Sequence, residues 1–437
     1  MDRDGVALTG IDRAAVWAQD VLTARDKGLP QRAAGSTVQQ FLATEPRLSE
    51  FWTPLLVLND EALQHNLGVM AGWCADHGFS LMPHGKTTMA PALWQRQLDA
   101  GSSGITLATI GQVRVARDFG FDSIMLANEL TDARGLRFIA AELADPEFSF
   151  SCWADSIEAV EVMERALDGV ELSRPIDVCV ELGAAGGRTG ARTLEAAHAL
   201  ARRIRDSAAL RLAGVSGYEG TLGHDRSDTS IAAVRAYLAT LLELHTGLAD
   251  VYDGGETILT AGGSAYFDIV AEVFDPISHA VPGTRYVLRS GAYLTHDDGF
   301  YRGISPLDPS RGQDIDPARL LRPAMRGLAR VLSRPESELA LLDAGKRDLP
   351  FDEGLPKPLY TSNDIGEAAA PLADASVIAM NDQHSYLRLP ATSRLAIGSV
   401  VTLGLSHPCT AFDKWRYIPV IKNDSSDVVV DLVRTYF

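Results

Sequence analysis

The sequence predicts an α/β protein, with a (β/α)8 barrel of the TIM type followed by a second, mainly β domain. From about residue 51, short apolar runs alternate with amphipathic helical stretches, and after about residue 285 this alternation fades. The length of 437 residues exceeds one ordinary compact core, which leaves room for a barrel of about 250 residues and a second domain. We therefore expect a helical N-terminal extension at 1–50, the barrel at 51–284 and the second domain at 285–437.

Eight short apolar segments are the expected barrel strands. They lie at 55–58, 80–83, 104–109, 123–127, 148–153, 176–181, 212–218 and 257–261. Between them, apolar residues recur at helical spacing, for example at 61–77 and 230–249. Eight alternations favour a closed barrel, and an open sheet with another strand order is the alternative.

The two flanking regions have different patterns. In the N-terminal extension, charged and small apolar residues follow a helix-like spacing that Gly28, Pro30 and Gly35 interrupt. In the second domain, turns rich in Gly, Pro and Asp join short apolar runs, which predict strands. These runs lie at 340–342, 375–379, 399–405 and 428–433.

Composition and charge exclude several classes of function. The formal net charge of -17 repels phosphate backbones, so we expect no nucleic-acid partner. The sequence has no uncharged apolar run long enough to span a membrane and no signal-peptide pattern at its start. The four cysteines are widely separated and form no CxxC pair, which is typical of reduced thiols. We expect a cytoplasmic protein without disulfides or a membrane partner.

Lys86 stands where a barrel would present a reactive amine. It follows the expected strand at 80–83, and the carboxyl ends of barrel strands face the catalytic mouth. An amine that is partly desolvated there has a lowered pKa and is free to form an imine. A solvated loop lysine is the alternative interpretation.

Two further segments are expected on the same rim. Gly262-Gly263-Ser264 follows the expected strand at 257–261, where glycines allow backbone N–H groups to converge on an anion such as a phosphate. Arg188 lies in a glycine-rich segment after the strand at 176–181 and can bind an oxyanion. Each segment taken alone is equally compatible with a plain turn or a solvated loop.

Together these segments resemble the alanine-racemase-type (fold type III) pyridoxal-phosphate (PLP) enzymes. The resemblance is carried by Pro83-His84-Gly85-Lys86-Thr87, Arg188-Thr189-Gly190, Tyr218-Glu219-Gly220 and Gly262-Gly263-Ser264. It implies that Lys86 carries PLP as a Schiff base, that Arg188 contacts the phenolic oxygen and that residues 262–264 hold the phosphate. It also implies three residues in or near the cofactor pocket, namely His84, Tyr218 and Tyr293.

His407-Pro408-Cys409 is the candidate metal site. An imidazole and a thiolate two residues apart on an extended segment point to the same side and suit Zn²⁺ or another divalent metal. Taken alone, such a pair is more often a buried cysteine beside a packed histidine. The segment resembles the metal motif of the branch that contains eukaryotic-type D-serine dehydratase and D-threonine aldolase, and its cysteine is closer to the dehydratase. His384 resembles a family histidine before this motif, with a satisfied core histidine as the equal alternative.

The resemblance implies a PLP- and zinc-dependent lyase that acts on a small D-β-hydroxy amino acid. Dehydration to a 2-oxo acid and ammonia is the leading hypothesis, and aldol cleavage to glycine and an aldehyde is the alternative. An amino-acid racemase would not need the metal pair, and a non-catalytic PLP carrier would not need the second domain. The resemblance also implies a homodimer. Thr88-Met89 replaces the His-Lys usual in this branch, which leaves the substrate open.

Overall fold

A computed structural model describes residues 13–311 and 315–437. Within these residues the chain forms two compact units, each assembled from separate parts of the sequence. The barrel unit comprises residues 70–86 and 97–291. The second unit comprises the described residues up to 69, together with 87–96 and 292–437.

The barrel unit is built on an eight-stranded parallel sheet. In the order of hydrogen-bonded neighbours, its strands are Ser80–Leu81, Thr284–Leu288, Thr257–Ala261, Leu210–Gly217, Ile176–Leu182, Ser149–Ala154, Ser123–Glu129 and Ile105–Leu107. The sheet curls until its two edges meet, because the Ser103 amide donates to the Leu81 carbonyl (2.8 Å) and the Thr106 amide to the Pro83 carbonyl (2.9 Å). The predicted barrel architecture is confirmed.

Polar residues at the strand ends start the helices that follow. The helices of this part of the chain are Asp60–His77, Pro91–Asp99, Ile110–Asp118, Ala133–Glu142, Ile157–Leu167, Leu194–Arg205, Asp228–Gly247 and Phe267–Phe274. Thr109, Ser156 and Thr193 each cap a helix by accepting a hydrogen bond from the amide three residues later. Thr109 and Ser156 lie two residues after a strand, whereas Thr193 follows the longer loop that contains Arg188.

The interior of the barrel contains a cluster of buried side chains. The cluster consists of Met82, Met125, Trp153, Cys179, Ala213, Ile258 and Val287. Because these side chains come from or adjoin seven different strands and pack together, the barrel has a solid core rather than a pore. The functional groups are therefore confined to the ends of the strands.

The predicted set of barrel strands was wrong in two respects: its first member lies outside the barrel, and it lacked the last barrel strand. The apolar run expected as the first barrel strand forms Leu55–Asn59, which lies in the second unit, antiparallel to Met325–Glu336 and parallel to Tyr417–Ile421. Its place in the barrel is taken by Thr284–Leu288, which we had expected outside the barrel. A strand buried on both faces gives the same continuous apolar run in a barrel and in a mixed sheet, so the pattern could not separate the two cases.

The second unit is mainly antiparallel β-structure, as predicted. Its strands are Leu55–Asn59, Met325–Glu336, Leu339–Leu342, Lys357–Ser362, Ala370–Pro371, Ser376–Met380, Ser385–Arg388, Val400–Gly404, Tyr417–Ile421 and Val429–Arg434. Its short helices are Arg13–Ala18, Val38–Leu42 and Phe300–Ile304. The predicted N-terminal extension thus contains short helical segments, and its first twelve residues lie outside the described part of the chain. Within the described residues, no helix combines the length and the apolar character needed to cross a membrane.

Candidate active site

Lys86 lies at the carboxyl end of the barrel strands. The chain leaves the strand Ser80–Leu81, and Lys86 is the central residue of the 3-10 turn Gly85–Thr87. Just before this turn, His84 forms a parallel bridge with Thr106 of the neighbouring strand. The Lys86 side chain is partly exposed. The backbone therefore holds this amine at the mouth of the barrel, where the sequence predicted it.

Three cationic side chains surround the imidazole of His84. Burial lowers the pKa of His84 well below its usual value of 6.5, and the positive charges of Lys86, Arg289 and Arg188 lower the pKa further. The ring is therefore neutral at neutral pH. Among the described residues, no group hydrogen-bonds to its buried Nδ1 atom. The mouth thus combines concentrated positive charge with a neutral imidazole.

Arg188 and Tyr218 come together over one pocket. The Arg188 guanidinium lies 4.7 Å from the centre of the Tyr218 ring, in a cation–π arrangement. Both residues line a pocket with Glu181 and Tyr237. The Tyr237 hydroxyl donates to the Leu182 carbonyl (2.6 Å) and accepts from the Tyr218 amide (3.0 Å), which ties two strand ends together. Arg188 and Tyr218 are therefore positioned side by side, and their contacts with a cofactor stay predictions.

The loop Gly262-Gly263-Ser264, called the glycine loop below, directs two backbone amides at an anion. That anion is a side chain of this protein. The amides of Gly262 and Gly263 donate to the carboxylate of Glu219, at 3.0 and 2.7 Å. Glu219 is fully buried. A Cβ atom at Gly263 would lie only 2.9 Å from the Tyr218 ring, so a larger residue here would have to displace that ring. Phosphate binding by Gly262, Gly263 and Ser264 remains a prediction, and the first two amides already have a partner.

Arg289 is a buried cation that the sequence analysis did not single out. Its guanidinium donates to Oγ1 of Thr260 (2.5 Å) and to the carbonyl of Gly217 (2.6 Å). Burial lowers the pKa of Arg289, and the charges of Glu219 and Glu181 oppose that shift. Arg289 directly follows the buried strand Thr284–Leu288, and this position could have marked it as a site residue. The sequence analysis did not assign that strand to the barrel.

The barrel mouth has several groups that suit PLP. Lys86 supplies an amine for a Schiff base, and the cations around His84 suit a cofactor with a phosphate and a phenolic oxygen. The unpartnered Nδ1 of His84 offers a polar contact to a bound molecule. The Tyr218 ring, pressed against Gly263, and the exposed Arg188 complete the pocket wall. These residues fit the cofactor.

His407 and Cys409 lie close together in the second unit. His407 is extended, whereas Pro408–Thr410 forms a 3-10 turn, so the expected fully extended segment was wrong. Proline at the first position of the turn has the backbone angle that starts a helical turn. The two side chains nevertheless hydrogen-bond to each other. An imidazole and a thiol at this separation are a donor set that suits zinc.

Asp352 orients the candidate metal pair. Its carboxylate accepts from Nδ1 of His407 (2.7 Å) and from the hydroxyl of Thr410 (2.6 Å). Burial lowers the pKa of His407, but Cys409 and Asp352 outweigh burial and raise it to about 9. Because Nδ1 faces Asp352, Nε2 is the ring nitrogen that remains to bind a metal. The Cys409 sulfur lies 3.2 Å from the hydroxyl of Thr87, the residue that follows Lys86 in the chain.

Two other predicted residues of the second unit have different surroundings. Tyr293 is almost fully buried in a 3-10 turn, and its proximity to the cofactor stays a prediction. His384 is exposed immediately before the strand Ser385–Arg388, so it is not a core histidine. Within the described residues, no three or more His, Cys, Asp or Glu side chains are grouped to hold a metal, so His384 does not complete a set with His407 and Cys409.

Two domain families match the chain, one in each half. The alanine racemase N-terminal domain matches residues 58–272, and the serine dehydratase domain matches residues 324–421. The second match contains His407 and Cys409, and the first contains Lys86, Arg188 and the glycine loop.

Several proteins are similar to this chain over most of its length. D-threonine aldolase from Arthrobacter sp. is 27% identical over 85% of this chain and 89% of its own length. The crystal structure of D-threonine aldolase from Filomicrobium marinum aligns with a TM-score of 0.74 at 22% identity, covering 89% of this chain and 96% of the other.

A dehydratase of known structure is also similar. D-threo-3-hydroxyaspartate dehydratase from Delftia sp. HT23 aligns with a TM-score of 0.69 at 19% identity, covering 89% of this chain and 99% of the other. Variants of D-threo-3-hydroxyaspartate dehydratase with a histidine or a cysteine replaced by alanine align with TM-scores of 0.71 and 0.70, and the cysteine variant is in the metal-free form. With its alanine racemase N-terminal domain, its serine dehydratase domain and these relatives, the chain belongs to the alanine racemase-like, fold type III family of PLP enzymes.

Proposed function

We propose that this protein is a PLP- and zinc-dependent lyase that removes water from a D-β-hydroxy amino acid and yields a 2-oxo acid and ammonia. The proposal rests on the pair His407 and Cys409, whose imidazole is hydrogen-bonded through Nδ1 to Asp352. The pair lies within the region that matches the serine dehydratase domain. In the related dehydratase, the substituted histidine and cysteine are also two positions apart, and the cysteine variant is metal-free.

The barrel unit would bind the cofactor and move one proton. Lys86 would hold PLP, Arg188 would contact its phenolic oxygen, and the loop 262–264 would lie at its phosphate. Bound PLP supplies an electron sink for the electron pair that stays at the substrate Cα when its proton leaves. The Lys86 amine would be the base that accepts this proton.

The second unit would prepare the leaving group. Nε2 of His407 and the Cys409 sulfur would hold a zinc ion. A zinc ion there supplies a Lewis acid that polarises the β-hydroxyl group of the substrate. Asp352 keeps the proton on Nδ1 of His407, which fixes the imidazole in its metal-binding tautomer.

A D-threonine aldolase activity is the second candidate. It is favoured by the relatives, because an aldolase is 27% identical to this chain and the structure with a TM-score of 0.74 is also an aldolase. The same residues would serve, but a base would remove the proton of the β-hydroxyl, and the Cα–Cβ bond would break to give glycine and an aldehyde. The cysteine at position 409 favours dehydration over this reaction.

The experiment uses purified protein supplied with PLP and zinc chloride. D-serine, D-threonine and D-threo-3-hydroxyaspartate are each incubated with it, and ammonia, 2-oxo acid, glycine and aldehyde are measured. We expect ammonia and 2-oxo acid in equal amounts, with the L-isomers as controls. Aldehyde with glycine and no ammonia would select the aldolase, and the absence of all four products would refute both candidates.

A further inference from the structure

Two carboxyl groups at the barrel mouth are buried with few hydrogen-bond donors among the described residues, and the one backbone donor that acts on Glu129 is its own amide. Glu129 ends the strand Ser123–Glu129, and Glu181 lies near the end of Ile176–Leu182, two strands further along the sheet. Both side-chain oxygens of Glu129 and Oε2 of Glu181 are buried. Among the described residues, no donor from another residue hydrogen-bonds to these three oxygens. We call Glu129 and Glu181 the carboxyl pair.

The two groups of the carboxyl pair are close enough to interact directly. The Glu129 carboxyl is in hydrogen-bonding range of Glu181. Since a carboxylate only accepts hydrogen bonds, such a bond requires a proton on one of the two groups. An unpaired buried charge is costly, so two adjacent buried carboxylates with so few donors would be an unfavourable state.

Glu181 links the carboxyl pair to the cofactor pocket. It is only 8% exposed, and it lines the same pocket as Arg188 and Tyr218. Its charge acts on the buried Arg289, which also faces Glu219. Asp155, beyond the strand between the two glutamates, adds a further negative charge near Glu129. A change of charge on the pair therefore alters the electrostatic potential where the cofactor would bind.

We propose that Glu129 and Glu181 share one proton, held mainly by Glu129, and that this proton keeps the barrel mouth positive enough to hold an anionic cofactor. The role rests on the proposed function, because it assumes PLP in this pocket. Glu129 is a positioning residue here, since it acts through Glu181 and Arg289. If both groups were ionised, an additional negative charge would face the phosphate and the phenolic oxygen of PLP.

The pKa of Glu129 supports the proposal. Burial raises it first, and the charge of Glu181 and the hydrogen bond to Glu181 raise it further, to about 8. Glu129 is therefore protonated at pH 7 and loses its proton as the pH rises through 8. Cofactor affinity should fall over that interval in the wild type, in addition to any effect of other groups.

The first experiment is independent of PLP and of activity. Carboxyl groups of the cofactor-free protein, labelled with ¹³C at glutamate, are titrated by NMR in the wild type, Glu129→Gln and Glu158→Gln. We expect one glutamate that titrates near pH 8, its loss in Glu129→Gln and its retention in Glu158→Gln, where an exposed glutamate is changed. In Glu181→Gln the titration should move to lower pH. A wild-type protein without a glutamate that titrates in this range would overturn the proposal.

The second experiment tests the consequence for the cofactor. Dissociation constants for PLP are measured by equilibrium dialysis at pH 7 and pH 9, with circular dichroism to verify folding. We expect the wild-type affinity to fall about tenfold more than that of Glu129→Gln between the two pH values. An equal fall in both proteins would overturn the electrostatic role. If no protein binds PLP at either pH, the proposed function fails, and the NMR titration still decides whether the proton is shared.

Discussion

Asp352 accepts a hydrogen bond from Nδ1 of His407 over 2.7 Å, although 55 residues separate the two in sequence. A carboxylate in this position fixes the tautomer and the orientation of a metal-binding imidazole and makes its other nitrogen a better donor. The contact therefore gives the His407 and Cys409 pair a property that a chance pair would lack. It is the basis of the first prediction.

Replacing Asp352 by asparagine should weaken zinc binding without unfolding the protein. Asparagine is nearly the same size but carries no charge, so the imidazole loses its electrostatic partner, and the affinity should fall by about tenfold or more. Zinc affinity is measured by competition with a chromogenic chelator. Asp382→Asn, which changes an exposed aspartate paired only loosely with Arg347 (3.5 Å), is the matched control and should bind zinc normally. Unchanged affinity in Asp352→Asn would contradict the assigned role.

Replacing Cys409 by serine should abolish zinc binding while PLP binding is retained. Serine has similar size, but its hydroxyl is a poor zinc ligand, so bound zinc and lyase turnover should both be lost. The absorbance of bound PLP should persist, because Lys86, Arg188 and Tyr218 are untouched. Cys74→Ser, in which a buried thiol is changed, is the control for loss of a cysteine as such. Turnover that survives complete removal of zinc would exclude the metal from the reaction.

Replacing Lys86 by alanine should abolish the covalent link to PLP. Borohydride reduces a Schiff base to a stable amine, so the wild type treated with PLP and borohydride should give one modified peptide containing Lys86. The variant should give none, while Lys422→Ala, which removes an exposed lysine, should behave as the wild type does. The readout is peptide mass spectrometry. If the wild-type protein is modified mainly at another lysine, Lys86 is not the residue that binds PLP covalently, and the proposal fails.

The fold was largely predictable from local patterns. Strands that are buried on both faces are continuous apolar runs, and seven of the eight expected runs form barrel strands close to their predicted bounds. The exception, Leu55–Asn59, is apolar throughout and fully buried, but its partners are Met325–Glu336 and Tyr417–Ile421. Those partners are hundreds of residues away, and no local pattern specifies such pairings.

The site was predictable where a short motif carries it. Tyr218 and the loop 262–264 directly follow a strand, Lys86 and Arg188 follow one after a short loop, and parallel strands bring their carboxyl ends to the same rim. Residues that act through distant partners gave no such signal. Asp352 became meaningful only through its contact with His407, and Glu129 only through its contact with Glu181.

Glu219 is another residue whose role follows from contacts with residues distant in sequence. The sequence indicated that glycine amides converge on an anion, and the structure supplies Glu219 as that anion, with bonds of 3.0 and 2.7 Å to Gly262 and Gly263. In Glu219→Gln one amide would face an N–H₂ group instead of an oxygen, and the buried Arg289 would lose a counter-charge. Because a charge-assisted buried hydrogen bond contributes about 1.5–3 kcal/mol, we expect the free energy of unfolding to fall by about that amount.

Denaturant unfolding and PLP affinity test this prediction together. Glu272→Gln is the matched control, because the Glu272 carboxylate pairs with Arg235 at an exposed site where solvent screens the interaction, and its effect should be small. In Glu219→Gln, PLP affinity should fall with stability if the loop 262–264 holds the phosphate as proposed, because that loop is released from its anchor. If stability falls but PLP binds as tightly as in the wild type, Glu219 supports the fold alone, and the cofactor phosphate must be held independently of the Gly262 and Gly263 amides.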